Sequence, residues 1–126
     1  MDNTPNHPPQ LPIYRKHKNQ KINQIQDWLD DNYNVDINVS ELATLFGYSE
    51  RTLQRHFQTA ATISILQYQQ FIRLQKAKQL MLETNLSIQN IAYQIGYENV
   101  SFFIRLFKKH VHCTLVVWRE NKHLKS

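Results

Sequence analysis

Arg51, Gln54, Arg55 and Gln58 are separated by three and four residues, the spacing that gathers side chains on one face of a helix. Their chemistry is that of base-edge recognition. Arginine can donate two parallel hydrogen bonds to O6 and N7 of guanine, and glutamine can pair with N6 and N7 of adenine. Leu53 and Phe57 fall on the opposite side, one turn apart, where they would hold the helix to a core. A second stretch repeats the pattern, with Phe103 and Phe107 inward and Ser101, Ile104, Arg105 and Lys108 outward. There Arg105 is the base reader. Ser101 suits many acceptors, and Ile104 suits either a thymine methyl or the rim of a core. Phe102 lies to one side and is expected in the core.

The elements that must position these faces are also legible. Ala43 is small enough for two helices to cross closely. Gly47, four residues on, sits where a turn needs a left-handed backbone, and Ser49 follows as an N-cap. This is the pattern of a helix-turn-helix, and it occurs twice. The run from Ile37 to Ala43 aligns with Leu86 to Ala92, and Leu45-Phe46-Gly47-Tyr48 aligns with Gln94-Ile95-Gly96-Tyr97. After one inserted residue, Leu53 to Phe57 aligns with Phe103 to Phe107. Ser64, Ile65 and Tyr68 then align with Thr114, Leu115 and Trp118. The chain's two glycines are the two turn glycines. Such a repeat fixes architecture before any other signal does.

Other chemistry finds little support. His110, His112 and Cys113 are close in sequence, but two residues apart on a helix point in different directions, and no second cluster completes a four-ligand site. No metal or cofactor is expected. His56 suits packing better than base catalysis. No phosphate-binding glycine loop and no nucleophile motif is present, so the chain does not read as an enzyme.

The 126 residues suffice for one small domain or two close subdomains, and 41% hydrophobic content can support a core. No apolar run approaches a membrane span. The N-terminus lacks a charged-then-apolar leader, and the single cysteine, Cys113, fits a reducing compartment. The cytoplasm is therefore the expected location. The net charge is +5. From Arg51 onward eleven Lys or Arg residues face three acids, Glu83, Glu98 and Glu120, a balance that suits a polyanion.

In chain order, residues 1–18 hold all four prolines and then the start of a basic run, Arg15, Lys16, His17, Lys18 and Lys21; they read as a disordered tail or linker, and the basic run suits either contact with DNA phosphate or a solvated arm. A first helix-turn-helix subdomain is expected over 19–63. It begins with a helix from Asn19 to Tyr33 whose stripe is Ile22, Ile25, Trp28 and Leu29, and whose Asp27, Asp30 and Asp31 face water. Asn38 with Glu41 forms a capping box for the next helix, and the reading helix runs from Glu50 to Thr59. A linker helix lies within 64–84. From Ile65 to Glu83 at about 1.5 Å per residue it spans roughly 28 Å, with Arg73, Lys76 and Lys78 on its polar side. The second subdomain covers 85–120, with helices from Ser87 to Ile95 and Val100 to His110, then a short last helix capped by Thr114. Residues 121–126 form a basic tail, of which Lys122 to Ser126 are expected to fray. No segment reads as a strand. The expected fold is all-α, two helix-turn-helix subdomains joined by a long helix, about seven helices in all.

From Asn19 to Glu120 the chain resembles the DNA-binding domain of AraC/XylS-type bacterial transcription regulators. The resemblance is carried by Leu42-Ala43 through Phe57, by Arg73 to Ala77, and by Ile91-Ala92 through Phe107. The runs ERTLQRHFQ, RLQKAKQLM and ENVSFFIRLFKKHV are most similar to members that carry a DJ-1/PfpI-like N-terminal sensor domain. That sensor is absent from this sequence, and no small-molecule ligand is expected on it. The resemblance implies base contacts from Arg51, Thr52, Gln54 and Arg55, and from Val100, Ser101, Ile104 and Arg105. It also implies RNA polymerase as a partner beside double-stranded DNA. Phosphate contacts are expected from the helix N-termini at Asn38 and Ser87 and from Gln58, Arg73, Lys76, Lys108 and Lys109. Two family features are missing after each reading helix. Thr62 and His112 stand where the family has glycine, and Ile65 and Leu115 where it has proline.

Two readings follow. The first is a sequence-specific double-stranded DNA-binding regulator with two recognition helices in successive major grooves. The second is a protein-interaction module, or a decayed paralogue, that keeps the fold without specific DNA binding. The missing glycines and prolines favour the second, and the Arg and Gln faces oppose it.

Overall fold

A computed structural model describes residues 14–124, the last two by backbone alone. The proline-bearing residues 1–13 lie outside it. Seven helices lie wholly within the described residues, which hold no strand: α1 (Gln20–Asp31), α2 (Val39–Leu45), α3 (Glu50–Ala61), α4 (Ile65–Glu83), α5 (Ile88–Gln94), α6 (Val100–Val111) and α7 (Leu115–Leu124). None is long and apolar enough to cross a membrane. The all-α expectation and the order of the helices hold. α7 is longer than the sequence suggested, continuing through residues expected to fray.

The chain divides into two compact units. The first runs to Asn32 and resumes over Asp36–Phe71, and the second takes Tyr33–Val35 and everything from Ile72. α4 thus gives Ile65–Phe71 to the first unit and Ile72–Glu83 to the second.

Each unit is built around the same turn. In the first, α2 closes with Phe46, and Gly47 takes φ +79°. The Tyr48 N–H donates to Ala43 O at 2.8 Å, and the Gly47 N–H to Thr44 O at 3.2 Å. In the second, Gly96 has φ +108°, Tyr97 N–H donates to Ala92 O at 2.8 Å, and Gly96 N–H to Tyr93 O at 3.1 Å. The paired six-to-one and five-to-two bonds are a Schellman motif, which satisfies carbonyls that a helix end leaves open. The alanine and glycine spacing in the sequence is the trace of this motif.

The first unit's core joins Ile22, Ile25 and Leu29 of α1, Leu42 and Ala43 of α2, Leu53, Phe57 and Ala61 of α3, and Ile65 and Tyr68 of α4, all nearly or fully buried. Phe57 meets the Tyr68 ring edge-on at 5.8 Å. Truncating a buried phenylalanine such as Phe57 to alanine costs about 3–5 kcal/mol. Trp28, expected in the α1 stripe, is only half-buried, and Gln26 is fully buried in its stead. Asp30, expected in water, is half-buried and accepts from both Arg15 and Tyr68. The second unit's core gathers Leu74, Ala77 and Met81 of α4, Ile91, Ala92 and Ile95 around α5, Phe103, Leu106 and Phe107 of α6, and Leu115 and Trp118 of α7.

Caps explain the helix starts. Asn19, Asn38, Ser49, Ser87 and Asn99 each accept a backbone N–H three residues on. At α4, Gln67 N–H donates to Ser64 Oγ at 3.1 Å while Ser64 N–H donates to Gln67 Oε1 at 2.9 Å, a complete capping box that serves without proline. α3 and α6 end on Thr62 (φ 72°) and His112 (φ 69°), both left-handed. These are the two positions at which the resemblance calls for glycine.

Candidate nucleic-acid interface

α3 is held by one side and offers the other. Leu53, Phe57 and Ala61 are fully buried, while Arg51, Gln54, Arg55 and Gln58 are all exposed. Ser49 starts the helix: the Thr52 N–H donates to its Oγ at 3.2 Å, and its hydroxyl donates to Thr52 Oγ1 at 2.9 Å. Thr52 is half-buried and engaged by this cap, so it lies at the edge of the face rather than on it. His56 is half-buried and packs edge-on against the Tyr48 ring at 5.5 Å, the packing role its position suggested.

α6 repeats the arrangement. Phe103 and Phe107 are fully buried and Leu106 nearly so. Ser101, Arg105, Lys108 and Lys109 are exposed, and Ile104 stands 42% exposed, on the outer face rather than in the core. Val100 is half-buried against the second unit's core, which leaves it little to offer a base. Phe102, expected in the core, is 38% exposed beside Ser101 with its ring 5.5 Å from that of Tyr97. The spacing of Phe103 and Phe107 could have flagged it, because a third aromatic one residue before Phe103 cannot share their direction.

Arg73 is not available to phosphate. It is 5% exposed, with Nε donating to Tyr33 O at 2.7 Å and an Nη donating to Val35 O at 3.2 Å. Its guanidinium carbon lies 4.6 Å from the centre of the Tyr97 ring. A buried guanidinium needs such partners, and here they tie the loop after α1 to the second unit. Lys76 is half-buried with Nζ 5.5 Å from the Tyr33 ring centre. At the helix N-termini, Asn38 and Ser87 are exposed, but their side-chain oxygens already accept from Glu41 N–H and Asn90 N–H at 3.0 and 3.1 Å. Glu41 also puts a carboxylate in the first turn of α2, which disfavours an anion there.

The arrangement therefore consists of two short helix-turn-helix units, each presenting one helix with a buried apolar side and a polar or basic outer side. A family model described as a helix-turn-helix domain matches residues 42–121. The probable transcription factor PqrA of Proteus vulgaris is 33% identical over 102 residues, covering 79% of this chain and 84% of that protein. The HTH-type transcriptional activator RhaS of Enterobacter sp. (strain 638) is 30% identical over 89 residues, 71% of this chain and 32% of RhaS, so the chain spans about a third of that relative's length. The crystal structure of the DNA-binding domain of AdpA, a global transcriptional factor, in complex with a target DNA shares the fold. Its TM-score is 0.77 at 18% identity, covering 83% of this chain and 95% of that one. With its repeated turn, its two outward helices and these relatives, the chain belongs to the AraC/XylS family of helix-turn-helix DNA-binding transcriptional regulators.

Proposed function

We propose that this chain binds a specific double-stranded DNA sequence with α3 and α6 as two recognition helices, each in a major groove, and regulates transcription from that site. The observation that carries the reading is the outward face of α3, where Arg51, Gln54 and Arg55 are exposed together above a fully buried Leu53 and Phe57. These are the side chains that make bidentate pairs with guanine and adenine, each worth about 1–3 kcal/mol of discrimination. On α6 the corresponding readers are Ser101, Ile104 and Arg105. Lys108 and Lys109, exposed beyond them, supply charge to phosphates, which sets affinity rather than sequence. AdpA, which shares the fold, is described in complex with a target DNA. RNA polymerase is the protein partner that the family resemblance supports, and the cytoplasm is the compartment where both partners would be met.

The test is selection from random duplexes, followed by footprinting and titration at several salt concentrations. One chain per duplex is expected, on an asymmetric site of about two successive major grooves, roughly 20 base pairs. Affinity should fall steeply with salt, and Lys108→Ala should weaken all sequences alike and flatten the slope by about one counterion. A flat salt response with no enriched sequence would instead support a protein-interaction module. The non-glycine left-handed residues Thr62 and His112 are the feature that favours that second reading.

A further inference from the structure

The basic run ahead of α1 does not behave as a tail. Gln26, fully buried, donates from Nε2 to Tyr14 O at 3.0 Å, and its Oε1 lies 3.0 Å from His17 Nε2. His17 Nδ1 accepts from the Asn19 N–H at 3.3 Å, so the ring proton sits on Nε2 and donates to Gln26. The Tyr14 ring packs edge-on against Phe71 at 4.9 Å. Arg15 is taken up by Asp27, Asp30 and Asn23 O, and Lys21 Nζ lies 4.8 Å from the centre of the Tyr48 ring. Lys16 and Lys18 are left exposed on a segment fixed at several points.

That segment forms one wall of an open cleft of about 440 Å³. Lys18 and His17 line it on one side, and Arg55, His56 and Thr59 of α3 line it on the other. No carboxylate is among its lining residues. A helix with its side chains is about 10–12 Å across, and the major groove about 12 Å wide, so a recognition helix fills the groove and its flanks face the sugar-phosphate strands. Arg55 and Thr59 put this cleft on such a flank. A cation on an anchored segment also has less freedom to lose on binding than one on a free tail.

We propose that this cleft holds a backbone phosphate of the DNA strand beside α3, with the Lys18 ammonium as its main charge partner and the Thr59 hydroxyl as a neighbouring donor. The segment before α1 is then part of the DNA-binding surface. The inference rests on the reading that α3 enters the major groove. A free phosphate ion has the same chemistry, and the experiment separates the two sources.

The experiment uses the full chain and its selected duplex, with Lys18→Ala and Lys18→Arg. Both variants should keep the wild-type urea midpoint, because Lys18 is exposed. Losing one phosphate contact should flatten the salt dependence of Lys18→Ala by about one counterion, so its deficit against wild type should shrink about threefold between 50 and 200 mM salt. Lys18→Arg should keep the wild-type slope. A duplex with one neutral methylphosphonate at the contacted position should make wild type and Lys18→Ala bind equally, with base preferences unchanged. A wild-type slope for Lys18→Ala, or no methylphosphonate position that removes the difference, would overturn the proposal. So would saturation of the His17 and His56 ring signals by inorganic phosphate that the duplex fails to displace. Absence of any duplex binding by the wild type would overturn this proposal together with the reading beneath it, whereas normal binding with an unaltered slope would overturn this proposal alone.

Discussion

The Tyr68 hydroxyl donates a 2.9 Å hydrogen bond to Oδ1 of Asp30, 38 residues earlier, while Arg15 donates at 2.7 Å to Oδ2 of the same carboxylate. The triad ties the segment before α1, α1 itself and the start of α4 together inside the first unit. Burial raises the Asp30 carboxyl above its usual value, outweighing the hydrogen bonds from Tyr68 and Arg15 that lower it. A carboxyl raised in the folded state contributes stability below its unfolded pKa, and that contribution is lost as pH rises through the folded value. Wild type should therefore gain stability relative to Asp30→Asn as pH falls from neutral towards about 4, the reverse of the usual expectation for an ion-paired aspartate. Urea midpoints of both proteins across this range measure it, and a difference that moves the other way would refute the sign. Tyr68→Phe, which removes one hydrogen bond to a charged acceptor, should cost about 1.5–3 kcal/mol at neutral pH.

Thr62 and His112 occupy left-handed backbone at the ends of α3 and α6, with φ of 72° and 69°. Side-chain-bearing residues lose roughly 1–2 kcal/mol there, while glycine gives back about 0.5–1 kcal/mol through its freer unfolded chain. Thr62→Gly and His112→Gly should each stabilise the protein by about 0.5–1 kcal/mol. Because the two positions lie in different units, their effects should add. Thermal unfolding of the single and double variants tests this. A neutral or destabilising outcome at both would mean that the threonine and histidine side chains make compensating contacts.

The two turn glycines are not equivalent. A Cβ at Gly47 would meet only Lys21 Nζ at 3.8 Å, whereas one at Gly96 would meet an Arg73 Nη at 2.7 Å and Asn34 O at 2.8 Å. Gly47→Ala should cost about 0.5–1 kcal/mol, the left-handed backbone penalty less the entropy that alanine's stiffer unfolded chain returns. Gly96→Ala adds overpacking of about 1–3 kcal/mol and should displace Arg73 from Tyr33 O and Val35 O. Chemical denaturation of the pair settles the order, and equal losses would show that the loop carrying Asn34 moves aside freely.

These residues also mark what a sequence can reveal. The Schellman turns at Gly47 and Gly96 follow local rules of backbone conformation, and the apolar faces of α3 and α6 follow helical periodicity, so both were readable. The exposed Arg51, Gln54 and Arg55 follow from the same periodicity. Arg73 and Gln26 were not readable, because each is buried by partners distant in sequence that periodicity cannot see. Arg73 serves the Tyr33 and Val35 carbonyls 40 and 38 residues away. Gln26 serves Tyr14 and His17, residues that composition assigned to a tail. Polar residues at the edge of an apolar stripe are ambiguous until the tertiary partner is known.

The two outward helices should divide the reading of DNA unequally. α3 exposes three side chains able to read base edges, Arg51, Gln54 and Arg55. At the aligned positions α6 has Ser101, Ile104 and Arg105, so one bidentate partner has become a hydroxyl and another an aliphatic chain. With about 1–3 kcal/mol of discrimination per good bidentate contact, the half-site under α3 should show the larger penalties for base changes, and the half-site under α6 should act mainly as an anchor. Ile104, 42% exposed, can still favour a thymine through its methyl, so a single preference is expected to persist there. Affinities for every single-base variant of the selected site give the profile. Arg55→Ala identifies the half under α3 by relaxing preference at one position in it, while Arg105→Ala does the same under α6. Equal penalties in the two halves, or larger ones in the half that responds to Arg105→Ala, would reverse the assignment.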